Sequence, residues 1–140
     1  MPHIQLLDSH DQDTGPRLTP NCVVLNTETG KLLVSHLRYA NTFWLRLTGL
    51  IPTGNLPKGH GLLLTPCTSI HTFLMKYPID VAYLDSDLVV VRVFPNVKPW
   101  RVLPAVAGTR HVLEVPRATL ADSGTLVGHK LQVLPGIDTA

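Results

Sequence analysis

Charge is scarce in this chain of 140 residues: only 16% are Asp, Glu, Lys or Arg, and the formal net charge is +2. So small an excess, spread along the chain, leaves no electrostatic footprint for nucleic acid. Aromatic residues are equally few at 6%, and Cys22 and Cys67 are the two cysteines. The two could pair on arithmetic alone, but nothing points to an oxidising compartment or a disulfide framework, and two buried thiols are expected. No apolar run approaches the roughly 18 residues of a membrane span. The start of the chain, Met1 to Gly15, has no basic opening, apolar core or small-residue cleavage site. These absences predict a soluble, cytoplasmic protein without a membrane or nucleic-acid partner. Also missing are internal repeats, a Gly-rich phosphate loop and a paired-Cys zinc motif.

What is present is a globular composition, with 44% apolar residues and a mean hydropathy of +0.17. A single domain of this size can bury a core without disulfides or a structural metal. Residues 1–20 carry little periodicity and three prolines, and read as a flexible N-terminal arm. The β domain is expected over 21–135, with a tail at 136–140. Cys22–Asn26 and Lys31–Ser35 flank Thr27-Glu28-Thr29-Gly30, a hairpin pattern in which Gly30 takes the positive φ. Ala40, Phe43, Trp44, Leu47 and Ile51 recur at helical spacing, with Asn41 or Thr42 as cap and Gly49 as terminator. Arg46 lies at the edge of that apolar face, where a covered guanidinium needs a carboxylate.

Gly61–Thr65 reads as a strand covered on both faces and stopped by Pro66. Ile70–Lys76, Ile79–Asp85, Leu88–Phe94, His111–Val115 and Lys130–Leu134 follow as further strands. The continuity of Leu88–Phe94 implies cover on both sides. A short helix is expected over Pro116–Ser123, with Gly124 beyond its end. About eight short strands with two short helices predict a mainly β fold, an antiparallel barrel or two-sheet sandwich.

The stretch Cys67–Asp85 holds most of the chemistry-bearing side chains, set in apolar sequence where desolvation makes them costly. Cys67, His71 and Met75 stand at four-residue steps, as thiolate, imidazole and thioether do in copper loops. A copper or other metal carrier is one reading; two hydrophobes and a hydrogen-bonded His is the other. Cys67 with His71 and Asp80 or Asp85 also has the composition of a nucleophile, base and orienting acid, the makings of a small hydrolase or transferase. The alternative is an inert buried thiol. Asp85 before Ser86-Asp87 suits a turn. Asp80 inside strand sequence demands a cation or several donors; Arg46 is the first candidate, and Lys76 or Arg110 the others. Trp100, between Pro99 and Arg101, could stack on a sugar or peptide, against a lid over one end of the barrel. Glu114 alternates with apolar neighbours and is expected to face solvent.

Several landmarks occur together: Arg46-Leu47-Thr48-Gly49-Leu50, Gly61-Leu62-Leu63-Leu64, His71 to Asp85, Pro99-Trp100, Val112-Leu113-Glu114-Val115-Pro116, and Gly128. In order and spacing, over about residues 38–134, they resemble the bacterial family called domain of unknown function 192. The most specific part is the F-x-M…P-I-D-V-x-x-L-D core. Lys58-Gly59-His60, Arg117-Ala118 and His129 depart from the family pattern. The resemblance implies a compact, mostly β domain with no settled activity. The resulting expectation is a non-catalytic ligand-binding or accessory module without a cofactor. Its partner is an unknown small molecule or protein, and its pocket draws on Arg46, His71, Met75, Asp80 and Trp100.

Overall fold

The computed structural model describes residues 21–40, 56–72 and 75–136. The expected arm, the helix over 41–51 and the tail from 137 lie outside them, as does Arg46. Ala40, assigned above to that helix, is instead the last residue of a strand.

Seven strands form one sheet: β1 Cys22–Asn26, β2 Leu32–Ala40, β3 His60–Leu64, β4 Ile79–Leu84, β5 Val90–Val97, β6 His111–Pro116 and β7 Leu131–Pro135. A single short helix among the described residues, α1 at Thr119–Asp122, lies between β6 and β7. The order across the sheet is β5-β4-β6-β3-β2-β1-β7. Every neighbouring pair is antiparallel except β2 and β3, which run parallel with His36 beside His60. The sheet curls until its edges touch. Val90 N–H reaches the His129 carbonyl at 2.9 Å, and Leu131 N–H reaches that of Leu88 at 2.9 Å. The result is an incomplete barrel, in line with the mainly β expectation.

The β1–β2 hairpin forms as its turn residues direct. Gly30 has φ 75° and donates to the Asn26 carbonyl at 2.8 Å. Asn26, wholly buried, accepts N–H groups of Glu28 and Thr29 on Oδ1 and donates from Nδ2 to Thr125 Oγ1. Gly61 is required by close approach, since a Cβ there would stand 2.6 Å from a Val34 methyl.

Two apolar layers hold the sheet. The inner one, with Val34, Leu63, Ala82, Leu84, Leu113 and Val133, fills the barrel. The outer one joins Leu62, Leu64, Ile79, Val81, Tyr83 and Val112 of the strands to Cys67, Ile70 and Leu103 of two covering loops. Burial on both faces explains why β4 is buried at all six positions.

Three expectations are corrected. Ile70–Lys76 is not a strand: its described residues make one isolated bridge, His71 to Val102, and otherwise belong to a loop over the outer face. Ile70 and Met75 cover the sheet, which strand-like composition cannot distinguish from joining it. Leu88–Phe94 contributes β5, which begins at Val90 and is covered only in part, because β5 is an edge strand with two register shifts against β4. Glu114 is 6% exposed rather than solvent-facing.

Candidate functional site

The strand alternation of β4 decides where its polar residue goes. Ile79, Val81 and Tyr83 belong to the outer layer and Ala82 and Leu84 to the inner one, so Asp80 points inward. It is 1% exposed, and its oxygens accept from Asn96 N–H at 2.8 Å and Leu120 N–H at 3.0 Å. Both donors need such help. Asn96 is held at φ 53°, and α1 opens on Ala118 in the left-handed region with no side-chain cap of its own. Asp80 thus caps α1 from across the barrel and pins the end of β5. Among the described residues neither Lys76 nor Arg110 pairs with it, and its described partners are two backbone donors; the pairing with Arg46 lies outside the described residues.

His71, Met75 and Trp100 meet elsewhere, around Thr72. Thr72 is 1% exposed. Its N–H donates to the Arg101 carbonyl at 2.8 Å, and its carbonyl accepts from Met75 N–H at 3.2 Å and Trp100 N–H at 3.1 Å. Its hydroxyl donates to the Lys98 carbonyl at 2.8 Å and accepts from Arg101 N–H at 2.9 Å. One small polar side chain thereby ties the first covering loop to the second. Sequence reading passed over Thr72; its signal was a hydroxyl inside an otherwise apolar run.

On this scaffold Met75 is half-buried against the outer layer and His71 is exposed. Trp100 is 67% exposed with φ 65°, so it is no lid. Tyr77 and Val102 are also exposed, at 53% and 69%, and the exposed cations Lys76, Lys98 and Arg101 adjoin them in sequence.

Cys67 donates its thiol hydrogen to the Ser69 carbonyl at 3.1 Å and packs in the outer layer near Tyr83. Tyr83 gives its hydroxyl to the Pro104 carbonyl at 2.8 Å; burial, then the nearby Cys67, pushes its phenol up. Cys67 is therefore a covered thiol while His71 is exposed. Cys22 belongs to the inner layer, and burial pushes its thiol up, with a hydrogen bond to Tyr39 opposing. The two cysteines lie on opposite faces of the sheet and are not joined. Among the described residues, no three His, Cys, Asp or Glu side chains converge in a way that could hold a metal ion. Asp85 is the turn residue expected, accepting from Asp87 and Val89 N–H groups at 2.8 and 2.9 Å.

A cleft of about 270 Å³ opens between the start of β2, Lys58-Gly59 and α1. Lys31, Ser35, Thr119 and Asp122 line it, and His71, Met75, Asp80 and Trp100 do not.

A family model of the domain of unknown function 192, described as "Uncharacterized ACR", matches residues 24–133. The chain belongs to this family. Curated relatives are UPF0127 proteins of archaea. One from Thermococcus sibiricus is 33% identical over 98 residues, 67% of this chain and 63% of that protein. Another, from Pyrococcus furiosus, is 28% identical over 114 residues, 78% of this chain and 96% of that protein. The chain spans a little under two thirds of the length of the Thermococcus relatives. These curated relatives are archaeal, so they do not support the bacterial label that the sequence suggested. A crystal structure of a protein of unknown function from Novosphingobium aromaticivorans superposes with TM-score 0.68 at 22% identity, covering 85% of this chain and 93% of that one. A second, from Sinorhizobium meliloti, gives TM-score 0.69 at 19% identity, over 86% and 98%. Both share the fold. No helix among the described residues is long and apolar enough to cross a membrane.

Proposed function

We propose that this domain of the uncharacterised family is a non-catalytic binding or accessory module whose contact face is the Thr72-tied loop pair. Trp100 is its anchor. The observation that carries the reading is the combination of 67% exposure with a left-handed backbone at Trp100. A non-glycine residue at positive φ costs on the order of 1–2 kcal/mol. A side chain 67% exposed leaves most of the indole surface available for contact with another molecule. Tyr77 and Val102 extend the apolar area, and His71 and Met75 border it. Asp80 and Arg46 enter this proposal differently: Asp80 shapes the barrel end from inside, and Arg46 remains a candidate contact residue.

The partner is a small molecule or protein rather than nucleic acid, and a cytoplasmic location accords with two thiols on opposite sheet faces. A Trp44→Phe background leaves Trp100 as the one indole reporter. Titration with oligosaccharides and peptides is expected to shift or quench its emission, and Trp100→Ala is expected to abolish capture without lowering the melting temperature. If Trp100→Ala keeps full binding, the face is wrong. Turnover by the purified protein that depends on Cys67 would favour the enzyme reading instead.

A further inference from the structure

We propose that His36 and His60 form a two-imidazole site for a divalent ion of the Zn²⁺, Ni²⁺ or Cu²⁺ class, separate from the Trp100 face. These residues occupy paired positions on β2 and β3, the parallel pair, and so stand side by side on one face of the sheet. Their ring centroids are 4.8 Å apart with planes 12° from parallel. His36 is exposed and His60 half-buried, which leaves the pair open to solvent.

The backbone beneath them is fixed by one carbonyl. Gly59 C=O accepts Ser35 N–H at 2.7 Å, His36 N–H at 3.0 Å and the Ser35 hydroxyl at 3.1 Å. Glycine is needed there: φ is 85°, and a Cβ would meet Ser35 Oγ at 2.8 Å. The same hydroxyl sets the tautomer. Ser35 has a single hydrogen and two acceptors within reach, Gly59 O at 3.1 Å and His36 Nδ1 at 3.0 Å; assigning it to Gly59 makes the His36 contact an Nδ1–H donated to Oγ. The lone pair of neutral His36 is then on Nε2, in the manner of imidazoles oriented by an outer partner to receive a metal. Among the described residues, no side chain hydrogen-bonds to the His60 ring or to His36 Nε2.

The separation suits chelation. With metal–nitrogen bonds of about 2.0–2.1 Å, two imidazoles at ~90–110° place their centroids roughly 4.5–5.2 Å apart. The observed 4.8 Å falls within that span. Stacked rings hold their lone pairs in separate planes, so sharing one ion requires the His60 ring, to which no described side chain hydrogen-bonds, to turn about its broad terminal torsion while the Ser35 contact keeps His36 in place. Ligand type chooses the ion class: oxygen-seeking Mg²⁺ and Ca²⁺ gain little from two imidazoles, whereas the later transition ions bind imidazole strongly enough to tolerate Lys58 and Arg38, which flank the histidines in sequence. His111 and His129 are committed elsewhere, to Thr65 and Asn26.

Calorimetric titration of the full chain with Zn²⁺ and with Ni²⁺ near neutral pH tests the proposal. One equivalent is expected that is lost, or weakened at least tenfold, in both His36→Gln and His60→Gln, with Ser35→Ala weakened less and Mg²⁺ giving no heat. Long-range proton–nitrogen spectra of the imidazoles should show His36 as the Nδ1–H tautomer and move its Nε2 signal on Zn²⁺ addition. Both histidine variants should melt like the parent in the absence of metal. Binding unchanged in either variant, or no saturable binding by the parent, overturns the site.

Discussion

His111 sits 6% exposed with Nδ1 2.6 Å from Thr65 Oγ1. Burial, with Arg110 adding to it and Asp85 opposing, lowers its pKa from 6.5 to about 4. A histidine kept neutral by folding contributes no penalty above its unfolded value, and destabilises as pH falls from 6.5 through 4. The gap between those values amounts to on the order of 3 kcal/mol at full effect. Denaturant melts of the parent and His111→Gln should therefore converge as pH is taken from ~7 to ~4.5, the parent losing its advantage. Equal pH slopes for the two proteins would remove His111 as the cause. Asp80 offers a second measurement. Asp80→Ala removes the acceptor of the buried Leu120 N–H and of the part-buried Asn96 N–H, a loss of about 1–3 kcal/mol, and Asp80→Asn, which keeps one acceptor oxygen, about half of that. Urea midpoints read the difference, and an Asp80→Ala midpoint near the parent's would show that the two donors are satisfied otherwise.

Among the elements, the covering loops carry the candidate face, and Thr72 holds them together. Thr72→Val keeps the shape and removes both hydroxyl bonds, to the Lys98 carbonyl and from Arg101 N–H. The expected cost is about 1–3 kcal/mol, with amide exchange accelerated over residues 98–103 before the barrel strands respond. Uniform acceleration across the sheet would show that the loops are not a separate unit. Strand β4 could be recognised because six consecutive residues are buried on two sides and Pro78 and Asp85 bound them. The hairpin was readable for a local reason as well, since Gly30 and Asn26 are two to four residues from the groups they serve. Ile70–Lys76 misled because an apolar loop over a sheet and an apolar strand within it bury the same kinds of side chain.

For the whole molecule, the sheet separates two cores, and each cysteine lies in one of them. Both thiols should resist alkylation in the native protein and react together as the barrel unfolds, which thiol labelling across a denaturant series would record. Early reaction of Cys67 alone would mean that the outer layer opens independently. By itself the sequence determined the family, the mainly β class, the turns and the burial of both thiols, because each follows from local conformational preference or from apolar patterning. Tertiary structure alone decided the rest. Asp80 received its partners from residues 16 and 40 positions away, Trp100 was set outward by Thr72, and His36 met His60 through a parallel pairing. Such contacts arise from how the sheet curls and how loops fold over it, and no residue's nearest neighbours in the chain specify them.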